Sequence, residues 1–442
     1  MTNNNLLHVL NFGTFNEGRY FIGKYKDSFD IVSLNANLIA HAPEGTTGFV
    51  AGLKRKRFFI DPQFHAFMQH PKTVMRKKDK VSVLKESVRK LADYYDSIVQ
   101  KKAGVSAITA DELTGQVISE IATTIAQFQL SILSDTLCNL AESDFVDPAQ
   151  LAPDFLISPY TYLEADNWQL HLKKNLHMLD AFRHAATSLD PKREVYAQLV
   201  LSQEVLTDNQ SANAIADSYL LSGISGIVLW IDSFSETKAS SHLLAAYVEF
   251  IRRLRQGESK VIILHGGYFS IALSGSIDAR IDGVGHGIEY GEQRAVIPVG
   301  GGVPLAKYYF PRFHKRVDYY PDAQDILIEM KWIESQKSFY ANVCSCNTCK
   351  SVIIDEVQSN FEEFGETKDS LVNGRPYPTA QAMRKSREHY LNCKIAEYER
   401  IKKDGLTKNI ELLRETAELA SKIKSHDFGH LTRWVEILQR LK

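Results

Sequence analysis

The sequence predicts an α/β protein built on a parallel sheet, and two features of its second half indicate this. Five short apolar runs alternate with helical segments between residues 155 and 284. Strands that are separated by one helix each imply parallel pairing with right-handed crossovers. The runs are apolar at nearly every position, which is typical of a sheet covered on both faces. A closed barrel and an open doubly wound sheet both satisfy this pattern.

The predicted elements follow one another in a regular order. Before residue 80, two short β-rich runs at residues 31–34 and 57–60 are each bounded by turn residues. Residues 81–140 are expected to be helical, because apolar residues recur there at helical spacing. The later strands are expected at residues 155–157, 195–201, 226–231, 260–264 and 280–284, with helices at 170–186, 212–221, 242–254 and 269–273.

Composition and charge narrow the function classes. Of the 442 residues, 44% are hydrophobic and 24% are charged. This composition is ordinary for a globular protein and argues against disorder. We expect no signal peptide and no membrane span, since no apolar run approaches the ~18 residues that a span needs. Five cysteines, of which three lie within residues 344–349, favour a metal and a reducing, cytoplasmic compartment over disulfides.

Charge is balanced over the whole chain but not locally. Residues 54–80 contain nine Lys or Arg and two Asp, whereas residues 103–172 contain ten acidic residues and no Lys or Arg. The basic stretch suits contacts with phosphates and so suggests a nucleic-acid partner, although a solvated surface explains it equally well. Residues 81–150 are either a homodimer surface or a cover for the sheet.

The cysteine cluster predicts a structural zinc site. Cys344, Cys346 and Cys349 can converge on one ion, and tetrahedral Zn²⁺ takes four nitrogen or sulfur ligands. His389 and Cys393 lie four apart in a helical run and therefore on one face of it. His389 is the first choice for the fourth ligand and Cys393 is the alternative. Such a site would attach a C-terminal helical subdomain and stabilise the fold rather than catalyse a reaction.

Polar residues gather where the predicted strands end. In an α/β barrel the chemistry collects at the carboxyl ends of the strands. Asp61 follows the run at residues 57–60, and similar strand-end residues are Gln203, Asp232, Glu236, His265, Gly266, Gly267, Asp282 and His286. A single Asp after a strand is explained as well by a helix or turn cap, so the prediction depends on the whole set.

These residues resemble the tRNA-guanine transglycosylase superfamily, whose members are zinc-containing TIM barrels that exchange a guanine for a 7-deazaguanine. The Cys-x-Cys-x-x-Cys motif followed by His389 is the most specific match. Residues 59–64, Phe-Ile-Asp-Pro-Gln-Phe, are similar to the family's Asp-Ser-Gly-Gly-Phe-Gln segment, which puts Asp61 at an active-site aspartate. Gln203 matches a base-binding glutamine, and residues 226–236 match a glycine-rich segment that ends in Glu.

The resemblance implies a TIM (β/α)8 barrel with a helical insertion and a C-terminal zinc-binding helical subdomain. It covers about residues 57–394. We expect residues 1–80 to hold the first barrel strands and a basic loop, and residues 81–150 the insertion. Residues 151–340 would complete the barrel, and residues 341–442 would form the zinc-binding subdomain.

The resemblance also implies a pentosyltransferase that replaces a guanine in DNA or RNA through a covalent aspartyl intermediate. Asp282 would be the nucleophile and Asp61 would handle protons on the base, which Trp230 or Tyr268 would stack against. An alternative alignment puts Gly285 or His286 at the nucleophile's position. Residues 157–160 lack the family's second base-reading Asp, which is typical of a divergent branch such as the DNA 7-deazaguanine transglycosylases. A zinc-containing binding module without catalysis and a nucleoside hydrolase are the competing hypotheses.

Overall fold

The fold was taken from a computed structural model that describes residues 6–13, 23–53, 57–78, 81–139, 146–288, 291–297, 306–372 and 375–441. Its strands in chain order are β1 Leu7–Asn11, β2 Ile31–Asn35, β3 Arg57–Asp61, β4 Met75–Lys78, β5 Val81–Leu84, β6 Phe155–Ile157, β7 Tyr162–Leu163, β8 Glu194–Leu201, β9 Gly226–Ile231, β10 Lys260–Ile263, β11 Gly283–Gly287, β12 Lys307–Phe310, β13 Lys315–Asp318, β14 Thr367–Val372 and β15 Arg375–Pro378.

The principal helices surround these strands. In chain order they are α1 Ala36–His41, α2 Pro43–Gly52, α3 Pro71–Val74, α4 Glu86–Tyr94, α5 Ser97–Lys102, α6 Gly115–Cys138, α7 Trp168–Leu189, α8 Gln203–Thr207, α9 Asn209–Leu221, α10 Ser241–Leu254, α11 Tyr268–Leu273, α12 Gln324–Glu329, α13 Gln336–Asn342, α14 Asn347–Val352, α15 Val357–Glu362, α16 Ala380–Ala420 and α17 His430–Leu438.

Eight parallel strands form a TIM barrel. Hydrogen bonding joins β3, β2, β1, β11, β10, β9, β8 and β6 in that order, which is the order of the chain around a cylinder. The two ends of this sheet meet where the amide of Asp154 donates to the carbonyl oxygen of Phe58 at 2.9 Å. The Asp154 carboxylate accepts the Phe58 amide at 3.0 Å and pairs with Arg57 at 2.9 Å, so a short network closes the cylinder. The closed barrel is therefore correct, and the open doubly wound sheet is excluded.

Alternate residues of each strand point into the barrel, as the two-residue period of a strand requires. Val9, Ile31 and Phe59 form the interior on the first three strands, and all three are fully buried. On β11 the inward positions are glycines. A Cβ at Gly285 would lie 2.4 Å from the carbonyl oxygen of Leu264, so the neighbouring strand excludes any side chain there.

The long connection between β3 and β6 differs in part from the expected helical insertion. It contains an antiparallel hairpin of β4 and β5, so residues 81–84 are extended rather than helical. Helix α6 is long and apolar enough to cross a membrane. Half of its most apolar stretch is buried inside the protein, so its length and composition are weak evidence for a membrane span. Its apolar stripe includes Ile121, Ile125 and Leu133, which belong to the main core. Of the basic stretch, residues 54–56 and 79–80 lie outside the described residues.

The C-terminal part is a mostly helical subdomain that packs on the outside of the barrel. Helix α16 changes direction at Gly405, whose φ of 68° is left-handed and favours glycine. Before this bend, the Tyr398 hydroxyl donates to the carbonyl oxygen of Val284 on β11 at 2.7 Å. The Tyr398 ring stacks on His8 of β1 with centroids 4.0 Å apart. This half of α16 therefore covers the outer face of the first and last barrel strands.

Candidate active site and metal centre

The carboxylate of Asp61 lies inside the barrel, at the carboxyl end of β3. It is 1% exposed and accepts four hydrogen bonds. One oxygen accepts the amide of Gln63 at 3.0 Å and the hydroxyl of Tyr160 at 2.7 Å. The other accepts the side-chain amides of Gln63 at 2.5 Å and Gln198 at 3.1 Å. Because a buried charge is costly without partners, these donors hold the carboxylate in one place.

The backbone beside Asp61 is held in an unusual conformation. Gln63 has a φ of 55°, and Ser233, which directly follows the strand-end residue Asp232, has a φ of 52°. Residues other than glycine rarely adopt this left-handed region, and such strain tends to occur at functional sites. Both positions lie at the same end of the barrel, immediately after strands β3 and β9.

An aromatic and imidazole wall adjoins the carboxylate. His65 stacks on Tyr160 with ring centroids 5.2 Å apart and meets Trp230 edge-on at 5.6 Å. His265 meets the same indole at 5.1 Å from the other side of the barrel mouth. Burial lowers the pKa of His65 to about 4 and holds the pKa of His265 well below its ordinary value. Both imidazoles are therefore neutral at physiological pH.

Four buried polar atoms at this end of the barrel have no hydrogen-bond partner among the described residues. They are Asn11 Oδ1, His65 Nδ1, Gln198 Oε1 and His265 Nε2. Unpartnered buried polar atoms are rare in native proteins, and a bound ligand is one of the few explanations for them. These four atoms make this end of the barrel the candidate binding site.

A hydrogen bond of His265 indicates which of its nitrogens donates. The side-chain amide of Asn11 donates to His265 Nδ1 at 3.2 Å, so the proton of that ring is on Nε2. The unpartnered Nδ1 of His65 is a donor or an acceptor according to the tautomer of its ring. The site therefore offers acceptors from Asn11 and Gln198, a donor from His265, and one ring nitrogen of His65.

Two predicted base-binding residues lie at the rim rather than beside Asp61. Asp232 accepts the hydroxyl of Tyr162 at 3.1 Å and the amide of Val296 at 2.7 Å. The side-chain amide of Gln203 donates to the carbonyl oxygen of Asp232 at 2.9 Å. Gln203 thus holds the end of β9, and the glutamine that reaches Asp61 is Gln198, from inside β8.

The structure corrects the role expected for Asp282. This residue directly precedes β11, at the amino end of the barrel, whereas Asp61 ends β3 at the carboxyl end. Its carboxylate bonds to Arg255 at 2.9 Å and to the amide of Val261 at 2.9 Å. Because all eight strands are parallel, the two carboxylates are at opposite ends of the cylinder and cannot act on one substrate.

His286 and Tyr268 are also outside the mouth of the barrel. Consecutive residues of a strand point to opposite faces, and Gly285 is at an inward position, so the His286 side chain points outward. There its Nε2 lies 2.7 Å from Nε2 of His8. Tyr268 stacks on His314 at 3.4 Å and donates to Asn409 at 2.6 Å, below the C-terminal subdomain. Neither is placed to stack against or bind a ligand beside Asp61.

Glu236, Gly266 and Gly267 have structural contacts. The Glu236 carboxylate accepts the amides of Gly267 at 2.8 Å and Phe269 at 2.9 Å, which caps α11. Burial raises its pKa to about 7. A Cβ at Gly267 would lie 2.7 Å from that carboxylate, and one at Gly266 would lie 2.8 Å from Val284. These glycines permit close packing rather than direct contact with a ligand beside Asp61.

Sequence reasoning missed several residues of the site. Asn11, His65, Tyr160, Gln198 and Arg294 are the ones that the barrel brings to its mouth. A detectable signal existed only for Gln198, which is a polar residue at an inward position of an otherwise apolar strand. The others lie at strand ends or in loops, where single polar residues are common.

The predicted metal ligands come together in the C-terminal subdomain. Cys346 and Cys349 place their sulfurs 3.4 and 3.3 Å from His389 Nδ1. Cys344 lies 3.8 Å from Cys393, whose sulfur is 3.7 Å from the same nitrogen. Candidate donor atoms of Cys344, Cys346, His389 and Cys393 all lie within 4.8 Å of one another, so this group can hold a metal ion. His389 and Cys393, the two alternatives for one position, are thus both present.

The surroundings of His389 suit a metal ligand. Its Nε2 donates to the carbonyl oxygen of Tyr309 at 2.7 Å, which leaves Nδ1 facing the sulfurs. Metal-bound histidines usually make such a bond from their other nitrogen, because it fixes the ring and its tautomer. The Tyr308 ring stacks on the imidazole at 4.3 Å, and its hydroxyl is 3.3 Å from the Cys349 sulfur.

Comparison with family models and with curated proteins found no match. Among solved structures, the chain is similar to a GH10 endoxylanase retrieved from a sugarcane soil metagenome, with 13% identity, coverage of 60% of this chain and 68% of that one, and a TM-score of 0.33. It is also similar to TsXylA, an intracellular xylanase from Thermoanaerobacterium saccharolyticum, with 9% identity, coverage of 68% and 90%, and a TM-score of 0.37. Similarity this low carries no functional argument, and the barrel is assigned from its own strand order.

Proposed function

We propose that this chain is a transglycosylase-like enzyme that binds a guanine-type base in the mouth of its barrel and exchanges it in nucleic acid. The observation that carries the proposal is the set of unpartnered atoms at the end of the barrel where Asp61 lies, which includes acceptors from Asn11 and Gln198 and a donor from His265. Guanine and 7-deazaguanine present a ring N–H and an amino group on one edge, together with a carbonyl acceptor. A base with these donors and this acceptor can pair with the unpartnered atoms of the site better than a base that carries mainly acceptors.

Asp61 is the carboxylate that we assign to the chemistry. Its oxygen would attack the anomeric carbon as the bond from carbon to the base nitrogen breaks, and the departing base would keep the bonding electrons and take up a proton. An incoming base would then displace the carboxylate and lose its own proton. Covalent catalysis divides one difficult displacement into two easier steps. The target nucleotide has to be single-stranded or flipped out to enter the mouth.

Binding without exchange is the second candidate, and a specific observation favours it. Strand β11 offers Gly285 at an inward position where the carbonyl oxygen of Leu264 excludes a side chain, so this strand supplies no carboxylate to the interior. Asp61 is in addition engaged by four donors, which lowers the nucleophilicity of a carboxylate.

One experiment separates the two candidates from hydrolysis. The protein is incubated with single-stranded DNA or RNA and labelled guanine or 7-deazaguanine. Incorporated label means exchange, released guanine with an abasic site means hydrolysis, and measurable binding alone means a binding module. We expect Asp61→Asn to lose incorporation while Asp180→Asn, an exposed control on α7, retains it. Failure of the wild-type protein to bind the base in any form would refute the proposal.

We also propose that the cysteine and histidine cluster holds Zn²⁺. In a tetrahedral site with bonds of about 2.3 Å to sulfur and 2.0 Å to nitrogen, neighbouring donors are ~3.5–3.8 Å apart, close to the separations of the cluster. The ion would attach the segment at residues 344–349 to α16 and so stabilise the subdomain. Metal analysis is expected to give one zinc per chain. A cytoplasmic location, a nucleic-acid partner and a homodimer stay predictions.

A further inference from the structure

The loop after β11 is fixed to the end of β9 at the mouth of the barrel. The carbonyl oxygen of Arg294 accepts the indole N–H of Trp230 at 3.0 Å and the amide of Ser233 at 3.1 Å. Two residues later, the amide of Val296 donates to Asp232 at 2.7 Å. Three hydrogen bonds thus hold the backbone directly after the Arg294 side chain.

The guanidinium group of Arg294 lies over the site. Its central carbon is 5.9 Å from the ring centroid of Trp230, and the residue is partly buried. Its positive charge contributes to the lowered pKa of both His65 and His265. Within the described residues, this guanidinium group has no hydrogen bond or ion pair.

The acidic groups near Arg294 have other partners. Glu292 forms an ion pair with Lys394, whose ammonium group is fully buried. Asp232 is engaged by Tyr162 and a backbone amide, and Asp61 by four donors. The guanidinium group of Arg294 is therefore a charged group without a close hydrogen-bonding partner among the described residues.

We propose that Arg294 binds a phosphate group attached to the sugar of the base in the mouth. The inference rests on the proposed function and names its substrate class, which is a nucleotide or a nucleic-acid strand rather than a free nucleoside. The planar fork of a guanidinium group matches two phosphate oxygens at once, and a partly buried position strengthens the interaction. The base would occupy the interior, beside Trp230, and the phosphate would remain at the rim.

The test compares ligands that share the base and differ in phosphate. Calorimetric titrations use deoxyguanosine, its 5′-monophosphate, its 3′-monophosphate and a single-stranded trideoxynucleotide with a central guanine. We expect the wild-type protein to bind at least one phosphate-bearing ligand about tenfold tighter than the nucleoside, as a hydrogen-bonded charge pair provides. Arg294→Gln is expected to remove this difference and to leave the nucleoside affinity within about twofold. Arg294→Lys should keep part of it, because a lysine retains the charge but not the fork.

The outcomes are distinguishable from a failure of the proposed function. Arg252→Gln is the matched control, since this arginine pairs with Glu249 on the surface of α10, and it should keep the wild-type preference. A preference for the trideoxynucleotide alone identifies a strand phosphate, and a preference for a monophosphate identifies a free nucleotide. If Arg294→Gln keeps the preference, or if nucleoside and nucleotides bind the wild type equally, the inference is overturned while base binding stands. If no ligand with this base binds, the proposed function fails as well.

Discussion

Replacing Asp282 by Asn distinguishes the role that the sequence suggests from the one that the structure assigns. The side chains of Asp282 and Arg255 are 15% and 17% exposed, and their charged contact is 2.9 Å long. A hydrogen bond to a charged group contributes about 1.5–3 kcal/mol, and the amide oxygen of Asn retains part of this. Asp282 also forms an ion pair with Arg280, but that arginine side chain is 44% exposed, so the pair adds little to the stability of the fold. We therefore expect a loss of ~1–3 kcal/mol, which lowers the melting temperature by roughly 1–3 °C in a chain of this size.

The assay combines thermal unfolding with base binding on the same variants. Asp282→Asn should melt earlier yet bind the base as the wild type does, because its side chain is at the far end of the barrel. Asp61→Asn should weaken binding more than about tenfold, since its amide nitrogen replaces one carboxylate oxygen and cannot accept the two hydrogen bonds made there. Asp180→Asn, which changes an exposed carboxylate, controls for the loss of one charge.

The reasoning is wrong if Asp282→Asn abolishes base binding or exchange while its melting temperature is unchanged. That result would mean that the carboxylate contacts the substrate, which its position at the amino end does not allow. Retention of full base affinity by Asp61→Asn would contradict the assignment of the site itself.

Three further changes test other parts of the structure. Gly285→Ala should destabilise the protein by about 1–3 kcal/mol in urea unfolding, because its Cβ would be 2.4 Å from the carbonyl oxygen of Leu264, and an unchanged midpoint would show that β11 has room for a side chain. Cys393→Ser should retain one zinc per chain by metal analysis, since Cys349 lies 3.3 Å from His389 Nδ1 and can join Cys344, Cys346 and His389 as the fourth donor, whereas the double variant with His389→Ala should lose it; loss in the single variant would make Cys393 an obligatory ligand. Burial raises the pKa of Glu236 from 4.5 to about 7, so the folded state holds this proton more tightly than the unfolded state. Its contribution to stability is complete below pH 4.5 and falls by up to about 3 kcal/mol as the pH rises through 7, and Glu236→Gln should flatten that part of the profile relative to wild type in urea unfolding at several pH values.

Local sequence was sufficient for the alternation of strands and helices, and for the metal cluster. Continuous apolar runs such as β8 and β9 were detectable because burial on both faces of a parallel strand leaves little room for polar residues. Cys344, Cys346 and Cys349 were detectable because their spacing alone brings their sulfurs together around a turn. The sequence could not show that residues 81–84 form a hairpin strand rather than a helix, because short runs of mixed polarity are compatible with either conformation.

The composition of the site required the three-dimensional arrangement of the strands. Asp61 and Asp282 both lie next to a strand in the sequence, but one follows its strand and the other precedes it. The strand expected at residues 280–284 contained Asp282, whereas β11 begins three residues later at Gly283, so Asp282 precedes the strand and lies at the amino end of the barrel. Likewise, Gly285 and His286 are neighbours in sequence and face opposite sides of the same strand.

The amino-acid sequence by itself determined an α/β chain with a parallel sheet and a thiol-rich C-terminal segment, because apolar periodicity and ligand spacing are local properties, whereas the closure of the sheet into a barrel was decided by the tertiary structure. Only the tertiary structure decided that Asn11, His65, Gln198 and His265 lie at the same end of the barrel as Asp61, with Gln198 in direct contact with it. Closing the sheet brings strands from distant parts of the chain side by side, and the direction of each strand decides which end its residues reach. That information is carried by contacts across the whole fold and not by any single segment.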